Sequence, residues 1–372
     1  MGIYDSLGVR PVINANATLT LLGGSLMPAE VLQAMSDAAG CFVSLPELQR
    51  QVGARIAELT RNEAAYVSCG AAAGLSLATA ACVTGTDAAL VTRFPHLDGV
   101  PNQVIVHHTQ RNGYDYAVRQ TGVEMVEIGS AQGTSPADLA TAITDRTAAV
   151  FWFHGALTTP GDLPLPKVIE IAHAHNVPVV VDVAAQLPPA SNLWHFTQLG
   201  AALAVFSGGK DLRGPQSSGL ILGRKDLIEA CRIHGSPNHA FGRPMKVGKE
   251  EMVGLLAAVE RYVNLDHDAR AQYCEATVAS WCAALNELDG VTAVRSFPNE
   301  AAQPLPRCLV TLASAAVGIE RDVVVSALLD GEPAVSVGTH DDAGIFLNPM
   351  TLEPGEEATV LERLLAVLAG AA

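Results

Sequence analysis

The stretch VFSGGKDLRGPQSSG, residues 205–219, ends an apolar run at Ser207 and sets a single lysine, Lys210, among glycines. Such a lysine is either a surface charge on a turn or an amine held for chemistry. In a pocket of low polarity an amine loses its proton readily and condenses with carbonyl groups. Two other strand ends carry residues of comparable interest. In VPVVVDVAAQLPP, Asp182 closes a run of valines. A carboxylate there is costly unless a cation partners it, although it could also cap the segment that follows. In YVSCGAAAGLSLATA, a strand candidate passes through Gly70, Ala71 and Ala72 into a helical pattern. Small residues at a helix N-terminus let backbone N–H groups close on an anion. The alternative is a small-residue helix packed tightly on a sheet; the run is neither a Walker loop nor GxGxxG.

The three signals make more sense together. Pyridoxal 5′-phosphate requires a phosphate cup, a carboxylate beside its pyridine nitrogen and a lysine for its aldehyde. The chain supplies these in the order cup, Asp182, Lys210. One crossover helix and one strand fit between Asp182 and Lys210, which puts them at neighbouring strand ends, where open α/β sheets bind ligands.

The elements that must position these groups are legible as short apolar runs rich in valine and isoleucine. Strand candidates are AAYVS (64–68), AALVT (88–92), QVIVH (103–107), EMVEI (124–128), AAVFWF (148–153), VPVVVDV (177–183), ALAVFS (202–207) and GLILG (219–223). Continuously apolar strands alternating with helical patterns, such as LPKVIEIAHAHN, predict a doubly wound α/β sheet buried on both faces. Residues 249–287 read as one or two long helices leading out of that sheet. The remaining hundred or so residues have sparser strand signals and a final helix, EEATVLERLLAVLAG, and predict a smaller α+β domain.

Composition narrows the function classes. The 372 residues carry a net charge of −15, which repels nucleic-acid backbones as a whole. The seven cysteines are scattered without a C-x-x-C, a pattern of reduced thiols in a cytoplasm, with no metal site expected. No apolar run reaches the roughly 18 residues of a membrane span. The start, MGIYDSLGVRP, lacks a secretory pattern, and its loose match to a myristoylation motif has no polybasic support. HAFGRPMKVGK gathers Arg243, Lys246 and Lys249 in a Gly/Pro-bounded loop suited to an anionic substrate group, or simply a solvated basic loop. Arg10 and Asn14, in RPVINANAT, are further substrate-binding candidates. His234 and His239 read as loop residues at the site entrance.

At this point the motifs GVRPVINANATLT, ELQRQVGARIAELT, CGAAAGL, QRNGYDYAVRQTG, VVVDVAAQLPP, FSGGKDLRGPQSSGL and GRPMKVGKEE are recognisable. The chain resembles the fold-type-I pyridoxal-phosphate enzymes, aspartate-aminotransferase-like in fold. Within them it resembles the selenocysteine-synthase-like group, on the branch containing D-glucosaminate-6-phosphate ammonia-lyase. The resemblance implies an α/β fold with a large, mostly parallel seven-stranded sheet and a smaller C-terminal α+β domain. It implies an N-terminal segment (1–45) packing on the small domain or active site, a cofactor-binding domain (46–265) and a small domain (266–372). Position by position, Lys210 corresponds to the Schiff-base lysine and Asp182 to the partner of the pyridine nitrogen. Gly70, Ala71, Ala72 and Ser207 correspond to phosphate contacts, and Ala184 to one face of the ring. Gln110, where relatives usually carry histidine, and Arg111 are both candidates for the other face. Gly209 stands where relatives often carry aspartate.

The implied activity is elimination from a β-hydroxy amino acid, with or without a phosphorylated sugar chain, releasing ammonia and a 2-keto acid. Racemase, aldolase or aminotransferase chemistry, and a non-catalytic pyridoxal-phosphate binder, stay open as alternatives. Selenocysteine synthesis is set aside, because it needs transfer RNA and the family pattern here begins within the first ten residues. The expected partners are a small amino acid and a second copy of the chain in a homodimer or higher homo-oligomer, without nucleic acid or membrane.

Overall fold

The computed structural model describes residues 2–370. They form two units: residues 25–265, and the described residues up to Gly24 together with those from Asp266 onward. In chain order the strands are β1 (Val12–Ala15), β2 (Ala64–Ser68), β3 (Gln103–His107), β4 (Glu124–Ile128), β5 (Thr147–Phe153), β6 (Val179–Asp182), β7 (Leu203–Ser207), β8 (Gly219–Gly223), β9 (Val291–Ser296), β10 (Arg307–Leu312), β11 (Ala334–His340) and β12 (Gly344–Leu347).

Among the described residues the larger unit holds a seven-stranded sheet in the order β2-β8-β7-β6-β5-β3-β4. From β7 to β4 all neighbours are parallel. β8 runs antiparallel to both β2 and β7, so β2 again points the same way as the parallel set. Successive strand residues enter two different cores. Ile105, Val150, Val181 and Leu220 face one, and Val104, Phe151, Val180 and Ile221 face the other. Burial on both faces is why these strands read as unbroken apolar runs. The architecture is that of a fold-type-I enzyme.

One expected strand is a helix. AALVT lies in the helix Ala88–Arg93, because Asp87 caps it: its carboxylate accepts from the Ala89 N–H at 2.8 Å and the Leu90 N–H at 3.1 Å. A local cap decides what a five-residue apolar run leaves ambiguous.

The smaller unit carries a five-stranded sheet in the order β1-β11-β12-β10-β9. β1 is parallel to β11 and the other pairs are antiparallel. Trp281, in the helix His267–Leu285, anchors its core and donates its indole N–H to the Glu357 carbonyl at 2.9 Å. The first 45 residues, expected as one segment, divide at Gly24. Pairing with β11 draws the part before that point into the small unit, whereas the residues after it bond within the large one. Residues 249–287, expected as one or two long helices, form two, Lys249–Val263 and His267–Leu285. Among the described residues no helix is long and apolar enough to cross a membrane.

Replacing Asp87 with alanine is expected to lower unfolding free energy by about 1 kcal/mol, the usual worth of an N-cap. Urea denaturation reads that loss, and hydrogen exchange should quicken at the Ala89 and Leu90 amides.

Candidate active site

Asp182 ends β6 in the middle of the large sheet, paired in register with Phe153 of β5 and Val205 of β7. It is only 8% exposed. Burial pushes its carboxyl pKa up, against the pull of the Ala184 N–H, which donates to Oδ1 at 3.0 Å, and of the Lys210 charge. A buried carboxylate raised in this way is poised for a cationic partner.

Lys210 follows β7 in a loop that folds on itself. Gly208 N donates to Ser218 O at 2.9 Å, Gly214 N to Gly208 O at 2.8 Å and Arg213 N to Lys210 O at 2.9 Å. Ser25 Oγ donates to the carbonyls of Gly209 at 3.0 Å and Lys210 at 2.7 Å. Arg213 Nε reaches the Leu26 carbonyl at 2.6 Å, and the buried Tyr262 hydroxyl donates to Asp211 Oδ2 at 2.6 Å. A Cβ on residue 209 would sit 2.4 Å from the Gln216 Cα, so the loop as folded leaves no room for a side chain there.

The candidate cup adjoins this loop. Gly70 has φ +96° and leads into the helix Ala71–Thr84. Its backbone rests on Gly219 of β8, where an added Cβ would lie 2.4 Å from the Gly70 carbonyl carbon and 2.7 Å from the Ala71 nitrogen. Gly219 pairs with Ser68 on one side and Ser207 on the other. Ser207 N in turn donates to Ala184 O at 3.3 Å. Asp182, Ala184, Ser207, Lys210 and Gly70–Ala72 are thereby brought together along one edge of the sheet. Open space at the helix N-terminus, where an added Cβ on Gly70 would meet nothing within 4 Å, a buried carboxylate and a lysine within its electrostatic reach fit pyridoxal 5′-phosphate.

The two ring-face candidates are engaged elsewhere. Gln110 is fully buried; its Oε1 accepts from the Phe153 N–H at 3.0 Å and its Nε2 donates to Asp162 Oδ2 at 3.4 Å. Asp162 also accepts from Thr109 Oγ1 and from the Thr159 N–H, so it ties the turn after β3 to the loop after β5. Arg111 donates to Asp115 Oδ2 at 2.5 Å and pairs with Glu127.

His154, passed over in the sequence, directly follows β5. Its backbone N–H donates to Asp182 O at 3.0 Å, and its Nδ1 accepts from the Trp152 indole at 3.1 Å. Burial, with His195 nearby, lowers its pKa and keeps the ring neutral. A polar residue one position past an apolar strand is its only signal in the sequence.

Of the basic loop, Arg243 is half-buried and Lys246 exposed. Among the described residues neither side chain forms a hydrogen bond or ion pair. The loop is seated on the helix Ala71–Thr84, since a Cβ on Gly242 would meet Leu77 Cδ2 at 2.7 Å. Lys249 is committed differently: it starts a helix, pairs with Glu250 and donates to the Ala38 carbonyl at 2.7 Å. His234 is a helix residue, not a loop residue, buried with Nε2 2.8 Å from Thr84 Oγ1. In the smaller unit, Arg10 donates to the carbonyls of Leu329, Asp330 and Gly331, at the end of the helix Arg321–Asp330. Asn14 Nδ2 turns back to the Ala17 carbonyl at 2.7 Å.

Comparison with known proteins bears on the family and the fold. The profile of the family described as SelA, L-seryl-tRNA selenium transferase, matches residues 115–278. The 5′-C-glycyluridine monooxygenase-decarboxylase of Streptomyces sp is 34% identical over 97% of this chain and 90% of its own length. The D-glucosaminate-6-phosphate ammonia lyase of Salmonella typhimurium (strain 14028s / SGSC 2262) is 32% identical over 97% of this chain and 96% of its own. A solved structure of D-glucosaminate-6-phosphate ammonia-lyase superposes with a TM-score of 0.87 at 30% identity, covering 100% of this chain and 99% of that one.

Gly209→Ala is expected to displace the Lys210 loop and cut cofactor retention at least about tenfold, because the clash is with backbone and cannot be relieved by a rotamer change. Cofactor content after gel filtration measures the effect; retention equal to the wild type contradicts it.

Proposed function

The chain belongs to the SelA-related family of fold-type-I pyridoxal-phosphate enzymes, and on that premise we propose that it is a lyase acting on a β-hydroxy amino acid, releasing ammonia and a 2-keto acid. The observation that carries this reading is the buried Asp182 carboxylate beside the closed loop that holds Lys210. When bound, pyridoxal 5′-phosphate supplies an electron sink for the bond broken at the substrate α-carbon. Gly70, Ala71, Ala72 and Ser207 hold its phosphate, Ala184 supports the ring, and Asp182 keeps a proton on the ring nitrogen. Gln110 and Arg111 are weaker claimants for the opposite face, given the partners their side chains already serve.

Lys210 Nζ would hold the cofactor at rest and, once the substrate amine takes its place, would be free to take the α-proton. The β-hydroxyl would leave with a proton as water, and the enamine that results would tautomerise to an imine and take up water, giving the 2-keto acid and ammonia. Arg243 and Lys246 bind the anionic end of the substrate, a role supported by their lack of protein partners and by the fork geometry of arginine. Arg10 and Asn14 are weaker claimants, given the backbone carbonyls their side chains already serve. We assign the enzyme to the cytoplasm as a homodimer or higher homo-oligomer with shared sites, acting on small molecules. Its net charge of −15 and scattered cysteines favour that setting.

Borohydride treatment of the cofactor-loaded protein should tag Lys210, and Lys210→Ala should lose turnover by about 1,000-fold or more. Asp182→Asn should lose about 100-fold, with the cofactor still retained. The substrate reading is checked by presenting D- and L-β-hydroxy amino acids, with and without a distal phosphate, and measuring ammonia and keto acid. Racemised or transaminated products would instead favour the alternative activities, and oxygen uptake with loss of carbon dioxide would favour chemistry like that of the Streptomyces relative. Light scattering should give a mass of at least two chains; a monomer that binds cofactor would refute the assembly.

A further inference from the structure

We propose that Gln49 is a positioning residue for the cofactor phosphate: it completes the open edge of β2 and so holds the strand that delivers Gly70–Ala72. The inference rests on the reading of those three residues as the phosphate cup.

β2 is the terminal strand of the large sheet, paired on one side only, with β8. Along an antiparallel edge, alternate residues turn both main-chain groups away from the ladder and must find other partners. Val67 is such a residue. Its N–H donates to Gln49 Oε1 at 3.1 Å and its carbonyl accepts from Gln49 Nε2 at 2.7 Å. One carboxamide thus stands in for a missing strand, at a side chain only 3% exposed. The helix that bears it, Leu45–Leu59, lies against the strand backbone. One turn on, a Cβ at Gly53 would fall 2.4 Å from the Ala65 carbonyl oxygen.

Only Ser68 and Cys69 separate Val67 from Gly70, and Ser68 Oγ donates to the Gly70 carbonyl at 2.9 Å. On its other side the cup backbone abuts Gly219. The cup is therefore gripped between a glycine of β8 and the Gln49 bracket. Loosening the bracket shifts the N–H groups that face the phosphate and leaves the lysine loop untouched.

The test compares the full-length wild type with Gln49→Ala and Gln49→Met, the second filling the same space without polar atoms. Each apo-protein is titrated with pyridoxal 5′-phosphate and with pyridoxal, which lacks the phosphate, and amide exchange is followed at Val67–Ala71. Melting curves select whichever variant keeps the wild-type fold. The expected result is a loss of about tenfold in affinity for the phosphorylated form, the scale of one hydrogen bond, with pyridoxal affinity unchanged and faster exchange at those amides. If the wild type prefers the phosphorylated form and the variants lose both ligands equally, or neither, Gln49 is not a phosphate-positioning residue and the cup reading survives. If the wild type binds both ligands alike, the cup reading itself fails, and this inference with it.

Discussion

A carboxylate in the middle of a sheet buried on both faces is the constraint around which this protein is organised. Asp182 sits between two parallel neighbours, and burial disfavours its charge. Such a group persists only if positive charge and hydrogen bonds compensate it. The Ala184 amide supplies one bond and Lys210 the nearby charge. A protonated ring nitrogen is the kind of cation that would complete the compensation, so the cost of burying the acid becomes selectivity for a cofactor.

β8 links the parts of the site. Among the described residues it is the one strand of the large sheet that runs against the other six. Because it does, its first residue, Gly219, meets both the end of β2 and the end of β7. The absent side chain at Gly219 lets the backbone of Gly70 come close, and Ser207 lies directly opposite. The Gly70 end and the lysine end of the site are thus set by one close packing of backbone on backbone, which fixes geometry better than long side chains can.

Much of this was legible in the sequence, and the reasons are local. β6 and β7 are unbroken apolar runs that each end in a polar residue, and that pattern alone marks strand ends in a buried parallel sheet. What escaped notice depended on partners distant in sequence or on competing local signals. AALVT has strand-like composition, but Asp87 satisfies the first amides of a helix there. The split of the first 45 residues follows from pairing between Val12–Ala15 and Ala334–Val337, which no local pattern announces. Gln110 and Arg111 look available in the sequence; Asp162, Asp115 and Glu127 take them up only once the chain has folded. His234, expected in a loop, closes a helix and meets Thr84.

The seating of the Gly235–Gly248 segment on the helix that begins at the cup separates two kinds of evolutionary freedom. A side chain at Gly209 or Gly219 would collide with backbone, so those positions are closed to drift. Arg243 and Lys246 project from a segment anchored by Gly242, and their side chains bear no structural duty. Descendants of this scaffold can therefore vary those two charges by editing a few letters in that segment, while inheriting the packed backbone beneath it intact.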